Sequence, residues 1–498
     1  LGSRSHQQKN ENMPFLDWVN KNQAKEVTRE VPYHLLKQES IHGDVTGAHA
    51  DNLLIQGDNL LALKALIPFY AGRVKCIFID PPYNTQSAFD YYDDRLEHSQ
   101  WLSMMYPRLV LLRELLAEDG SIWVTLDDNE AHYFKVMMDE VFARSNFIGN
   151  VIWQHSIQAK NDAKLISLHH NHLLSYRKSP SFTRNSLPRT EEHNANYRNP
   201  DNDPRGAWRS GDVRSPNLRE NLIYSVQTPN GNIIEAPEKG WRWAKDTFNE
   251  KVSTGEITFV DNQTRVLRKI YLEDQDGRVP ESIWFGKDVG TTRDASAHVA
   301  TLVEQIGAFD TPKPEQLIER VLQLSTKPND IVLDSFLGSG TTAAAAHKMG
   351  RRYIGIEMGD HARTHCLPRM QKVIDGEQGG ISTNVGWSGG GGFRFCTLGD
   401  PAFDDHGRIT TEVKFATLAS YVWHFETGEP GHQVFDKPLL GVHNGTAYYL
   451  LYNGILGDRR PAGGNVLTHA VLQAINDVFP HEGPKVVYGE MSRLGASR

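Results

Sequence analysis

The sequence predicts an α/β fold: a parallel sheet with helices on both faces, split by a long insert and followed by a small α+β domain. Three observations carry this. Short apolar runs that end in an acid or a glycine-rich turn alternate with stretches of helical spacing. The alternation stops near residue 155 and returns after residue 301. A glycine cluster, Gly386 with Gly389–Gly392, then sets off the C-terminal stretch.

Each element has its own signal. Lys75–Asp80 (KCIFID) is a continuous apolar run closed by a carboxylate, the pattern of a buried parallel strand. Ser99–Glu118 has apolar residues at helical spacing and stops at Asp119-Gly120. Ser121–Asp127 reads as a strand, Asn129–Phe142 as a helix and Asn150–Gln154 as a strand. Beyond the insert, Ile331–Phe336 predicts a strand, Gly340–Met349 a helix and Arg352–Glu357 a strand. In the C-terminal stretch, Ala447–Tyr452 and Lys485–Tyr488 read as strands, with a role in subunit or partner contacts expected. There is no internal repeat.

The expected division is therefore 1–30 as a tag remnant (Leu1–Ser5 looks like a cloning scar, with Met13 the native start) and N-terminal arm, 31–155 as the first part of the main domain, 156–300 as the insert, 301–385 as the second part, and 386–498 as the C-terminal domain. A length of 498 residues suits about three domains.

Composition narrows the classes. With 39% hydrophobic and 23% charged residues, the chain is an ordinary globular type, not collagen, a low-complexity polymer or a disordered chain. No apolar run approaches the roughly 20 residues that span a bilayer, and no signal core opens the chain. No membrane contact and a cytoplasmic location are expected. Cys76, Cys366 and Cys396, at spacings of 290 and 30, offer neither a disulfide framework nor a zinc-ligand pair. No metal is expected.

The net charge of −8 argues against non-specific coating of polyanions. Yet residues 151–300 sum to +2, leaving −10 for the rest (−8 minus +2), and 151–190 alone sum to +5. The same segment holds five of the ten tryptophans: Trp153, Trp208, Trp241, Trp243 and Trp284. Cations with aromatic rings suit a nucleic-acid surface; a tryptophan-rich core with a solvated rim fits the composition better.

Two motifs carry chemistry. Asp334-Ser-Phe-Leu-Gly338-Ser-Gly340-Thr-Thr-Ala343 lies between a strand and a helix. Its glycines permit a sharp turn and close backbone approach, and the helix start offers N–H groups to an anion. Glu357 follows Gly338 by 19 residues, at the end of the next strand, where a carboxylate suits two ribose hydroxyls. The spacing also satisfies G-x-G-x-x-A, so an NAD-dependent dehydrogenase is a rival reading.

The second motif, Asp80-Pro81-Pro82-Tyr83-Asn84, directly follows a strand. Two prolines fix two φ angles and remove two donors. The rigid loop then presents acceptors, the Asp80 carboxylate and the Pro81 carbonyl, with an aromatic ring beside them. Two acceptors and a stacking ring suit an exocyclic amino group on a flat heterocycle.

Together the motifs resemble the S-adenosylmethionine-dependent amino-methyltransferases of DNA. The likeness extends through Leu54-Ile-Gln-Gly57-Asp58-Asn59-Leu60, Trp101, Arg108, Leu126-Asp127-Asp128-Asn129-Glu130, Asn199–Gly206 and Thr311-Pro312-Lys313-Pro314-Glu315. It is closest to the β-class N6-adenine methyltransferases of the kind found as modification (Mod) subunits of type III restriction–modification systems. The motif order is the circularly permuted one, with Asp80 254 residues ahead of Asp334 and the insert between them. This implies a Rossmann-like methyltransferase fold with an inserted target-recognition domain.

Residue roles follow from the resemblance. It implies a catalytic loop of Asp80, Pro81, Pro82 and Tyr83. It implies a cofactor site of Asp334, Phe336, Gly338, Gly340 and Thr341, with Glu357 on the ribose, Asp58 near the adenine, and Thr311 and Lys313 by the amino-acid carboxylate; a solvated lysine is an equal alternative for Lys313. His170-Asn171 stands where the family often has His-Asp, and the asparagine departs from that pattern. Trp208, Arg209, Arg214 and Arg219 are candidate DNA contacts.

The reaction so implied is methyl transfer from S-adenosylmethionine to N6 of a flipped-out adenine in double-stranded DNA. The resemblance also implies a homodimer and a separate restriction or helicase subunit, since no Walker-type loop, helicase motif or nuclease centre stands out here. N4-cytosine methylation needs the same acceptors. An RNA or protein-glutamine methyltransferase shares the catalytic loop without needing so long an insert.

Overall fold

The structure, a computed structural model, describes residues 15–49, 51–85, 97–159, 163, 165–302, 309–452 and 465–495. The expected scar and Met13 lie outside the described residues. The chain divides into two compact units: Ser186–Pro280, and the remainder formed by Leu1–Asn185 with Glu281–Arg498.

The larger unit is built on a ten-stranded sheet. In chain order its strands are β1 (His34–Gly43), β2 (Leu53–Gln56), β3 (Val74–Ile79), β4 (Leu116–Leu126), β5 (Phe147–Gln154), β6 (His170–Arg177), β7 (Ile283–Trp284), β8 (Ile331–Asp334), β9 (Arg352–Glu357) and β10 (Gly392–Pro401). Across the sheet they run β1-β10-β2-β9-β8-β3-β4-β6-β5-β7. The six from β10 to β4 are mutually parallel. Antiparallel pairs flank them, β1 on β10 and β6 between β4 and β5. The sheet is thus an α/β sheet of mixed direction, not the wholly parallel one that strand–helix alternation predicts.

The central strands have both faces covered, which is why they read as unbroken apolar runs. Ile55, Ile77, Ile79, Leu333 and Ile356 share one core with α1 (Asn59–Tyr70) and α2 (His98–Leu115). The second helix stops three residues before its expected end because Leu116 already pairs with Val74 as strand.

The adjacency that matters is β8 beside β3, in register at Leu333 and Ile77. Helix α3 (Glu315–Ser325) precedes β8 and α4 (Thr341–Lys348) follows it. Glu315 holds this region together. It accepts from Lys348 Nζ and Arg369 Nη2, each at 2.8 Å, with all three side chains buried. Arg369 in turn donates to Thr341 Oγ1 (2.9 Å) and the Ser339 carbonyl (3.2 Å).

The compact insert is narrower than 156–300. Strands β6 and β7 complete the main sheet, so only Ser186–Pro280 separates. Within that unit Trp208–Gly211, Arg265–Tyr271 and Ile257–Val260 form an antiparallel sheet over a core of Val226, Trp241, Phe248 and Val266. The tryptophans are largely structural. Trp153 and Trp284 are buried in the larger unit and Trp241 in the smaller.

The glycine cluster is not a free tether. Asp44 N–H bonds to the Gly391 carbonyl at 3.0 Å, and Gly392 opens β10, which inserts between β1 and β2. In the C-terminal stretch Leu439–His443, Thr446–Leu450 and Lys485–Tyr488 form a small sheet. Among the described residues no helix is long and apolar enough to cross a membrane.

Candidate active site

Neighbouring parallel strands deliver both motifs to one place. Asp80 follows β3 and Asp334 ends β8, so their loops leave the same edge of the sheet. They share a cavity of about 800 Å³, lined by Asp80, Pro81, Pro82 and Tyr83 from the first loop and Asp334, Phe336, Gly338 and Thr341 from the second. Thr311 and Lys313 line it too.

The Asp80–Asn84 loop is fastened from behind. Trp101, fully buried on α2, donates its indole N–H to the Pro82 carbonyl at 2.8 Å. Asn84, in the left-handed region at φ 59°, donates to Glu130 at 2.8 Å. Tyr83 Oη contacts Thr125 Oγ1 at 3.0 Å and accepts from Asn171 Nδ2 at 3.1 Å. Burial, and then the Asp80 charge, push the phenol well above its ordinary pKa. Asp80 Oδ2 is ion-paired with Lys313, while Oδ1 is buried with no hydrogen-bond partner among the described residues. Lys313 is thus not a solvated lysine.

The glycine loop is equally fixed. Asp334 Oδ1 accepts the Phe336 N–H at 2.9 Å and Oδ2 accepts the Thr342 hydroxyl at 2.6 Å. Burial raises the Asp334 pKa to about 7, with the Asp80 and Glu357 charges adding to the rise. Gly338 has φ 57°, and a Cβ there would lie 3.0 Å from the Phe309 ring. Gly340 has φ 84° and precedes α4.

Three expected cofactor residues do not line the cavity: Gly340, Glu357 and Asp58. Glu357 Oε2 accepts the Gly338 N–H at 2.7 Å, so it braces the loop from beneath. Asp58 caps α1, accepting from Leu60 N at 2.8 Å and Leu61 N at 3.1 Å, and meets Arg108 at 3.4 Å. An N-cap carboxylate satisfies helix donors that would otherwise be orphaned.

Several residues of the site carry no signal in the sequence. Asn171, left without a role, touches Tyr83 and lines the cavity. Its neighbours His170 and His172 face Asp128, at 3.8 and 2.7 Å. Phe309 and His361 line the cavity and stack edge to face at 5.0 Å. No spacing flags them, because each comes from a different loop. Arg369, on the helix Leu367–Ile374, is silent in the sequence because its partner Glu315 lies 54 residues away.

The candidate DNA residues all belong to the smaller unit. Trp208 Nε1 donates to Asp201 (2.8 Å), Arg209 Nε to Tyr197 Oη (3.1 Å), and Arg214 Nε and Nη2 to Asp212 (2.9 and 3.1 Å). Arg219 is exposed.

The residues fit a cofactor that carries an ammonium, a carboxylate and a flat base. The Asp334 carboxyl, a buried lysine and a glycine cradle that a Cβ would fill stand around one cavity. The sequence model of the N6/N4 family, described as DNA methylase, matches residues 74–365 and so spans both loops. The chain belongs to the N6/N4 DNA methylase family. The dehydrogenase reading of the glycine loop is thereby corrected: the same spacing serves a methylase. Among similar proteins is the probable type III restriction-modification enzyme HindVI Mod subunit of Haemophilus influenzae, 32% identical over 72% of this chain and 55% of that protein. The type III restriction-modification enzyme StyLTI Mod subunit of Salmonella typhimurium is 31% identical over 66% of this chain and 55% of its own length. The chain spans about half the length of these relatives. Among solved structures, the PvuII DNA methyltransferase (cytosine-N4-specific) matches at 16% identity over 67% of this chain and 91% of that one, with a TM-score of 0.37.

Proposed function

We propose that this methylase transfers the methyl group of S-adenosylmethionine to N6 of a flipped-out adenine in double-stranded DNA, as the modification part of a restriction–modification system or a derivative of one. The observation that carries the reading is the shared cavity, lined by Asp80, Pro81 and Tyr83 of one loop and by Asp334, Phe336 and Gly338 of the other.

S-adenosylmethionine supplies an activated methyl on a sulfonium. This chain's residues bind, orient and stabilise. The adenine amino lone pair is delocalised into the ring, so it must be localised before it can attack. The Asp80 carboxylate and the Pro81 carbonyl accept the two N–H bonds and stabilise positive charge as it grows on nitrogen. Alignment of the amino group with the methyl is the other contribution. Tyr83 stacks on the base and offsets part of a flipping cost of a few kcal/mol. Its hydroxyl, held by Thr125 and Asn171, fixes the ring plane. Asp334 receives the cofactor's ammonium and Thr341 and Phe336 flank it, while Glu357 acts through the Gly338 loop that it braces and Asp58 through the start of α1.

Mass spectrometry of nucleosides from DNA incubated with the protein and S-adenosylmethionine tests this. N6-methyladenine supports the reading, N4-methylcytosine moves it to the other amino group, and neither overturns it. Asp80→Ala lowers the rate about 100-fold or more while the cofactor still binds. Trp208, Arg209, Arg214 and Arg219 are proposed DNA contacts; Arg214 would exchange Asp212 for a phosphate, a charge-assisted swap. A homodimer and a restriction subunit are proposed partners, tested by sedimentation and by pull-down with the purified subunit.

A further inference from the structure

We propose that Lys313 exchanges partners: without cofactor its ammonium caps Asp80, and the α-carboxylate of S-adenosylmethionine draws it away, so the base-gripping carboxylate is uncovered only in the loaded enzyme. This rests on the methyl-transfer reading above.

Three observations carry it. Lys313 Nζ is ion-paired with Asp80 Oδ2 and lies 5.2 Å from the centre of the Tyr83 ring, so it occupies the space of the proposed target base. The same side chain lines the cavity together with Asp334 and Gly338, within which a ligand's carboxylate seeks a cation. Of the two permanently cationic side chains on the lining, Arg293 is exposed and Lys313 is 8% exposed. A ligand carboxylate inside the cavity therefore meets Lys313 as its buried counter-ion.

A buried ammonium needs an anion, and Asp80 is the one it has here. One ammonium now faces two carboxylates that compete for it. While it sits on Oδ2 it drains the acceptor strength that Asp80 needs for an amino group. The lysine stem is flexible and its head is a point charge with three rotatable donors, which suits a change of partner. The Thr311 carbonyl, 3.4 Å from Nζ, is a way-station on the same turn. By linkage, whatever strips Lys313 from Asp80 favours the base, and the base favours the cofactor by the same factor.

The test is calorimetric titration of the full chain with S-adenosylmethionine and with its decarboxylated analogue, which keeps the sulfonium and the amine. The readout is the ratio of the two affinities, in which general charge effects of a substitution cancel. In Asp80→Asn, with no competitor for Lys313, the ratio rises about fivefold or more. Lys313→Met brings the ratio towards one, and adding Asp80→Asn to it changes nothing further. Asp80→Ser serves in place of Asp80→Asn where a melting curve shows that the asparagine variant does not fold. An unmoved ratio in Asp80→Asn, or a wild-type ratio in Lys313→Met, makes the ion pair permanent and overturns the exchange alone. A wild-type chain that binds neither ligand overturns the methyl-transfer reading and the exchange with it.

Discussion

Glu357 Oε2 accepts the backbone N–H of Gly338 at 2.7 Å, and its other oxygen accepts that of Gly359 at 3.2 Å. The carboxylate that ends β9 therefore fixes the loop that follows β8. Glu357→Ala leaves the Gly338 donor without its acceptor and costs about 1–3 kcal/mol of stability. Cofactor affinity falls at least tenfold on the proposed reading. Denaturant unfolding and calorimetry check the two effects separately, and unchanged affinity would remove Glu357 from the cofactor site.

Asp334 gives a pH dependence of definite sign. Its pKa is raised from 3.8 to about 7, so the fold holds the proton more tightly than the unfolded chain does. The stability contributed by this group is full below its unfolded value and is lost as pH rises through about 7. A cationic ligand prefers the ionised form, so S-adenosylmethionine affinity runs the other way and weakens as pH falls below about 7. Titrations from pH 5.5 to 8.5 test this. Asp334→Asn flattens the profile, and a wild-type profile that is already flat refutes the assignment.

Trp101 positions the Asp80–Asn84 loop without entering the cavity. Trp101→Phe keeps most of the apolar volume and removes the bond to the Pro82 carbonyl. A loss of about 0.5–1.5 kcal/mol follows for the bond itself. The expected kinetic signature is a lower kcat with unaltered cofactor affinity, because the glycine loop is untouched. Equal effects on both would point to general unfolding.

Glu315 is the keystone of the charged cluster behind the glycine loop. Glu315→Ala leaves the Arg369 guanidinium, 2% exposed, without its carboxylate, while Lys348, 0% exposed, keeps Glu377. Removing one partner of a buried ion pair costs about 3–5 kcal/mol. Thermal melting measures it, and a loss under 1 kcal/mol would show that water reaches the cluster.

Gly338→Ala combines two penalties, a left-handed φ and a Cβ 3.0 Å from Phe309. It lowers stability by about 1 kcal/mol or more and closes the cradle. The matched control is Gly231→Ala, also at positive φ but with open space around its Cβ. If the two variants bind S-adenosylmethionine equally, close approach at Gly338 is irrelevant.

The local motifs were readable because each sits at the end of an apolar run. Asp80 closes KCIFID and Asp334 closes IVLD, and a carboxylate at the end of a buried strand is a conspicuous break in pattern. Their adjacency was carried by the resemblance, since parallel pairing between β3 and β8 leaves no mark in either segment. The edges of the insert misled for a related reason. Strand β6 (HNHLLSYR) begins with polar residues and β7 has two residues, so neither announces that it joins the main sheet. Gly386–Gly392 reads as a tether on composition, whereas Gly392 needs its missing Cβ because the His42 carbonyl would lie 2.4 Å away. Lys313 was placed by its motif, but its Asp80 partner is 233 residues distant and invisible to spacing.

The pairing of β3 with β8 has a consequence for how the chain can be divided. A cut inside Ser186–Pro280 leaves Asp80 on one polypeptide and Asp334 on the other. Neither fragment holds a competent centre, yet the hydrogen-bonded seam between the two strands is a template for rejoining. On the proposed reading, co-expressed halves restore the methylation that each lacks by itself, which makes the chain a natural candidate for a split reporter.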